Sequence, residues 1–238
     1  MRQFISIFLF IFFQTFSIYA QIDAGPDIVI CEPQDVNLSI EYTPNSVSTS
    51  DYTIEPISIE METLTNPVVI NLLSDDSHTD IINIGFNFCF YGNVYNQLVA
   101  STNNYLSFDI ENANAYSPWN TYPIPSISSI GQVVNAILGP WIDLNPSNGG
   151  NISHSIEGTA PFRRFIVSFN DFGYFSCSNM QFNGQIKLFE STNNIEIHIQ
   201  DQPLCDSWNN GESVLGIINE DNPVYNRKWL EQYYNDRR

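Results

Sequence analysis

Two oxygen-rich runs are where this sequence could do chemistry. Ser74-Asp75-Asp76-Ser77-His78-Thr79-Asp80 gathers three carboxylates in one polar loop. Asp143-Leu144-Asn145-Pro146-Ser147-Asn148-Gly149-Gly150 sets one more carboxylate and two amides beside glycines. Hard cations such as calcium take roughly six to eight oxygen ligands from carboxylates, amides and carbonyls. Asp75, Asp76, Asp80 and Asp143 are therefore candidate ligands, and calcium the candidate cofactor. Neither loop has EF-hand spacing, and Asp and Asn in turns also bond their own backbone without any ion.

Aromatic residues offer a second kind of binding. Tyr116, Trp119 and Tyr122 lie among Pro118, Pro123 and Pro125. Aromatic faces bind the apolar patches of sugar rings, so these three form a candidate glycan platform. The competing reading is a set of caps over a sheet edge, and Trp141 and Trp208 read as core or disulfide-packing residues. Catalytic patterns such as GxSxG, HExxH and the P-loop do not occur. His78, His154 and His198 are scattered, and His198 sits in an alternating strand as a face residue. His154 stands between Ser153 and Ser155, yet lacks the glycine elbow and oxyanion donors of a hydroxyl nucleophile. Glu190 and Glu196 flank the Ser191–Asn194 turn, where a solvated hairpin end outweighs a glycosidase pair. The expectation is a protein that binds rather than catalyses.

The elements that must position these residues are strands. Phe86, Phe88 and Phe90 alternate with Asn87 and Cys89, the period of a half-buried strand. Tyr91-Gly92-Asn93 turns the chain, and Tyr95 to Val99 resumes before Ser101-Thr102-Asn103-Asn104 turns it again. Short strands are expected at Val29–Cys31, Val36–Ile40, Tyr52–Ile54 and Val68–Ile70. Others are expected over Ile152–Glu157, Arg164–Asn170, Gln185–Glu190, Ile195–Gln200 and Ser213–Ile218. The prolines exclude a central strand or helix between Ala113 and Ser129. Helix is expected only near Ser129–Ala136 and over Arg227–Asp236. This spacing indicates an all-β fold, a β-sandwich or jelly roll.

Residues 1–20 carry Arg2, an apolar Phe4–Phe13 run and a small residue, Ala20, the order of a secretory signal. The apolar stretch is too short for a comfortable span, which needs about 20 residues. The mature chain is expected to begin at Gln21, with one sandwich domain over 21–223 and a divergent or truncated tail over 224–238. Four cysteines then suit two disulfides in an oxidising compartment. Three connectivities are open, and Cys31–Cys89 with Cys177–Cys205 is favoured as the more local pairing. Secretion or display at the cell surface follows, with no membrane insertion after signal cleavage.

Charge narrows the partners. The 238 residues hold 26 acidic and eight basic side chains, a formal net charge of −18. Before Arg227 the basic residues downstream of the signal are Arg163, Arg164 and Lys187 alone. Such a surface repels phosphate backbones, so nucleic acid is excluded as a partner. An extracellular protein or a glycan remains.

Several segments carry a family resemblance. They are Asp23-Ala24-Gly25-Pro26-Asp27 with Cys31, Phe88-Cys89-Phe90-Tyr91-Gly92-Asn93, Ser101 to Phe108, and Asn135 to Trp141. Gly158 to Phe165, Phe175-Ser176-Cys177, Glu190 to Ile197 with Cys205, and Trp208 to Gly211 extend it. Together they resemble secreted, gliding-motility-associated surface proteins of Bacteroidota-type bacteria. The YG, STNNYLSF and GPW-x-D order is more distantly similar to the nidogen-type extracellular domain. The resemblance implies an adhesin-like or matrix-like surface module, often joined to a C-terminal sorting domain. The sequence departs from it in that no sorting domain follows, and Val224–Trp229 is at best a divergent remnant of the closing strand. A fragment, a truncated relative and a module secreted alone all fit that departure.

Overall fold

In the computed structural model, residues 52–70, 74–120 and 133–219 are described with side chains. The backbone is also described at Ile22–Asp23, Glu41–Tyr42, Ser126–Ser128, Gly131–Val133 and Val224–Asn226. The signal at 1–20, Cys31, the strands expected at Val29–Cys31 and Val36–Ile40, Tyr122, and the helix expected over Arg227–Asp236 lie outside the described residues.

The chain divides into two units, residues 1–45 and 46–238. Within the first, β1 (Ile22–Asp23) pairs antiparallel with β2 (Glu41–Tyr42). The second opens with β3 (Val68–Ile70), β4 (Ile82–Phe90), β5 (Asn93–Ser101) and β6 (Tyr105–Ser107). A small hairpin of β7 (Ser126–Ser128) and β8 (Gly131–Val133) precedes β9 (Ala136–Trp141). Next come β10 (Asn151–Glu157), β11 (Arg164–Gly173), β12 (Gln181–Phe189) and β13 (Ile195–Asp201). The chain closes on β14 (Val214–Ile218) and β15 (Val224–Asn226).

These strands build two antiparallel sheets. One has the order β13-β12-β11-β10-β3 and the other β15-β14-β9-β6-β5-β4. The alternation expected for β4 is complete. Ile82, Ile84, Phe86, Phe88 and Phe90 are buried, while Asn83, Gly85 and Asn87 face out. A tight turn follows at Tyr91-Gly92, both at positive φ, which suits the right-handed twist of a two-residue hairpin. The inward row of β4 joins Leu98, Leu106 and Ile137 from its own sheet. Facing them in the same core are Ile152, Phe165, Val167, Phe169, Ile186 and Leu188 from the other sheet. A smaller cluster of Tyr105, Ala136, Leu138, Trp141, Val214 and Ile218 packs separately. Burying ring and branched side chains from both layers is the main stabilising term, about 25 cal/mol per Å² of apolar surface removed from water.

Cys177 and Cys205 are bonded, which fastens the β11–β12 connection to the segment before β14. Among the described residues Cys89 has no disulfide partner, and its expected partner Cys31 lies outside them. Two expectations need correction. Tyr52–Ile54 is not a ladder strand, because residues 52–66 run as an irregular strap whose backbone bonds side chains instead of a neighbouring strand. The helical turn expected near Ser129–Ala136 is replaced by β8 and the start of β9, where β pairing overrides the local pattern. The segment read as a divergent tail begins with β15, which pairs with β14 at the sheet edge.

Candidate functional site

Three loops meet at one rim of the sandwich: the Ser74–Asp80 loop before β4, the Tyr116–Trp119 loop and the Asp143–Asn145 loop after β9. Their meeting point is Asn103, fully buried in the β5–β6 turn. Its amide Nδ2 donates to Asp76 Oδ1 at 2.9 Å and to the Ser117 carbonyl at 3.2 Å. Its Oδ1 accepts the Leu144 N–H at 3.1 Å. A single side chain thus satisfies groups from all three loops, which an apolar residue there would leave unpaired.

Around Asn103 lies a knot of neutral polar groups. Ser101, Thr102, Asn104 and Ser117 are fully buried beside it. Ser101 Oγ and Ser117 Oγ share a hydrogen bond, and the Tyr105 hydroxyl contacts His78 Nε2 at 2.8 Å and Ser117 Oγ at 3.0 Å. Thr102 Oγ1 accepts the Ser77 N–H, while the Asp76 carbonyl accepts the Ser117 N–H. Burial holds the His78 imidazole below its usual range and the Tyr105 phenol above it. His78 is therefore a neutral partner in this knot.

On that support the carboxylates of Asp75, Asp76 and Asp143 converge, each offering an oxygen within 4.8 Å of the others. Asp75 Oδ1 accepts its neighbour's N–H at 3.1 Å and Oδ2 takes the Asn145 amide at 2.9 Å. Asp143 Oδ2 accepts the Trp208 indole N–H at 2.7 Å. Burial, with the charges of Asp76 and Asp75 adding to it, pushes Asp143 up to about 7 despite the Trp208 bond. Burial also raises Asp75, seconded by the charge on Asp76, and raises Asp76 itself. Such a group of like charges either takes up a proton or holds a cation, and a divalent ion would reverse these shifts.

Asp80 stands apart, its Oδ1 accepting the Ile81 N–H at 2.8 Å and the Asn114 amide at 3.5 Å. Asn148 is likewise occupied elsewhere, donating to the Tyr174 and Phe175 carbonyls.

Two of the aromatic candidates, Tyr116 and Trp119, lie at the same rim. Trp208 holds Asp143 and packs between Trp119, 5.7 Å between ring centres, and Phe175, 5.1 Å. Tyr116 bridges to Ser77 through backbone pairing and is 45% exposed. Burial first, then the charges of Asp76, Asp143 and Asp75, raise its phenol. Two sets of residues chosen for different chemistry, Asp75, Asp76 and Asp143 on one hand and Tyr116 and Trp119 on the other, share one surface.

Sequence reasoning missed the parts that assemble it. Ser101–Asn104 reads as a plain turn, although four consecutive hydrogen-bonding side chains between apolar strands signal a polar knot. Trp208 reads as packing, and its indole N–H on Asp143 is a contact between remote loops. Other candidates are placed elsewhere. Glu190 forms a two-point pair with Arg163, 2.8 and 2.5 Å, which holds its carboxyl below the usual range. Glu196 is taken by His198 Nε2 at 3.0 Å, so the two glutamates do not form a working pair. His154 packs on Phe165, and strand alternation sends Ser153 and Ser155 to the opposite face.

A family model described as NIDO related matches residues 46–232. No curated protein and no solved structure matches the chain. Among the described residues no helix is long and apolar enough to cross a membrane.

Proposed function

The chain belongs to the NIDO-related (nidogen-related) family, and from that premise we propose that it is an extracellular, non-enzymatic interaction or adhesion module of the gliding-motility-associated kind. The observation that carries this reading is the rim itself. Loops from three places in the chain are clamped by Asn103 and present carboxylates next to partly exposed aromatic rings. Binding surfaces are commonly built this way, from loops held on a rigid sheet frame.

A glycan is the partner favoured by the side-by-side placement of Trp119, Trp208 and Phe175 with Asp143. Rings stack on sugar faces while carboxylates bond hydroxyls. Glycan-array binding by the secreted chain should be lost in Trp119→Ala, and a blank array for the unaltered chain would turn the reading toward a protein partner. Calcium is the ion proposed for Asp75, Asp76 and Asp143, whose hard oxygens suit it. Millimolar calcium should raise the melting temperature by several degrees through preferential binding to the native state. Asp76→Asn should remove most of that gain, and an unchanged melt in the parent chain would end the calcium proposal.

A further inference from the structure

The outer face of the β13-β12-β11-β10-β3 sheet presents a second binding geometry, which uses none of the rim residues. Strand register puts Ser168, Gln185 and His198 in one cross-strand row and Lys187 opposite Glu196 in the next. Ser168, Gln185, Lys187 and His198 are nearly inaccessible, Lys187 at 2%. Buried polar side chains on a sheet's outward face require a covering partner that satisfies them. Here the strap supplies it.

The contacts read the strap as an extended peptide. Gln185 grips the backbone of Glu62 at both ends, its Oε1 accepting the Glu62 N–H at 2.9 Å and its Nε2 donating to the Glu62 carbonyl at 2.7 Å. His198 Nδ1 accepts the Glu60 N–H at 3.1 Å, which leaves the Nε2 proton for Glu196. Lys187 Nζ donates to the Glu60 carbonyl at 2.7 Å. The Glu62 carboxylate is then held by Arg164, 3.1 and 2.8 Å, and by Lys187, 3.0 Å. Arg164 and Lys187 are two of the three basic residues between the signal and Arg227. In a strongly acidic chain Arg164 and Lys187 form a local pair of cations, flanked by Glu157 and Glu196, and the pair is closed over a carboxylate. That pair of cations holds Glu62 below the usual carboxylate range, the Arg164 hydrogen bonds being the larger cause.

The strap is attached the wrong way round for a piece of core. Ile54, Ile57 and Ile59 are 48, 51 and 41% exposed, while its peptide groups and Glu62 face the sheet. Lifting residues 54–62 would expose little apolar surface while Tyr52 stays packed on Phe90 and Tyr91 as an anchor, so local opening costs far less than unfolding.

We propose that this face is a recognition groove for an extended acidic peptide segment of a partner protein, and that the strap occupies it in cis with Glu62 as an internal stand-in for the partner's carboxylate. Charge complementarity and the seated strap define the occupant: an extended backbone at the Glu60–Glu62 level and one acidic side chain between Arg164 and Lys187. A partner segment of this kind displaces the strap and frees the isoleucine row.

The probe is a fluorescent synthetic peptide with the sequence of residues 54–66, read by anisotropy against the folded chain. Binding should strengthen about fivefold in Glu62→Gln, because apparent affinity follows the fraction of chains with the groove open. A peptide with Gln at the position of Glu62, or a Glu62→Gln/Lys187→Met chain, should lose that gain. Equal, weak binding in all cases overturns the proposal. Hydrogen exchange on the unaltered chain is the second measurement and does not depend on a variant folding. The Glu60 and Glu62 amides should exchange by local opening while the β12 amides stay protected. Exchange of both sets at one common rate makes the strap a permanent part of the sheet and also overturns the proposal.

Discussion

Two regions of this molecule bury polar side chains almost completely, and they do so to opposite ends. Under the rim, Ser101, Asn103, Ser117, His78 and Tyr105 bond one another within a knot of loops and strand ends that carries the carboxylates, while Asn104 Nδ2 holds the Gly139 and Pro140 carbonyls. On the outer sheet face, Gln185, Lys187 and His198 are completed from above by an irregular strap, and Ser168 accepts from Gln185. Burial alone does not distinguish the two. What differs is the partner: a mainly neutral network within the fold that clamps Asp76 makes a rigid seat, whereas a charged face closed by a mostly exposed segment makes a removable cover.

The largest effect expected from breaking this contrast is at Asn103. Asn103→Leu removes the partner of Asp76, the Ser117 carbonyl and the Leu144 N–H at once, and should cost about 3 kcal/mol of stability in urea unfolding. A cost under about 1 kcal/mol would show that the loops do not depend on the clamp.

The next effect is a pH dependence at the rim, measured in chelator. The folded Asp143 carboxyl titrates at about 7 against 3.8 in the unfolded chain, so the native state binds the extra proton. Stability should rise as pH falls from about 8 toward 5, and the contribution is fully present only below the unfolded value. His78, held down by burial, works the other way and erodes stability once the pH drops below its ordinary 6.5. Asp143→Asn should flatten the upper slope and stabilise the chain near pH 8 by about 1–2 kcal/mol, discounted for the part of the site that solvent reaches. A slope unchanged by that substitution would assign the titration elsewhere.

The smallest effect is expected at the strap. Glu62 and Arg164 are each roughly 30% exposed, so Glu62→Gln should shift global stability by no more than about 1 kcal/mol. A loss as large as that of Asn103→Leu would erase the distinction between seat and cover.

The sheet framework is largely legible in the sequence. Strict alternation in Ile82–Phe90 and the Tyr91-Gly92 turn identify a half-buried strand and its hairpin, and the structure follows them residue by residue. Two antiparallel sheets and the Cys177–Cys205 bond agree with an all-β, disulfide-stapled sandwich. The strap is the instructive failure. Tyr52–Ile54 has strand-like composition, but composition does not say whether backbone groups will meet another strand or side chains such as Gln185 and His198. The rim was legible only as separate pieces. Asp75, Asp76 and Asp143 are visible as oxygen-rich loops, while their convergence depends on the β5–β6–β9 register that brings Asn103 under Leu144. Asp80, spelled in the same loop, is turned to its own backbone.

The seat-and-cover account is tested most directly by native-state hydrogen exchange across a denaturant series, read at four amides. The Asn103 and Leu144 amides, bonded to Ser101 Oγ and Asn103 Oδ1, should exchange only with global unfolding and follow the full denaturant dependence. The Glu60 and Glu62 amides should exchange at least about a hundredfold faster with little denaturant dependence. A single shared isotherm for all four would contradict the account.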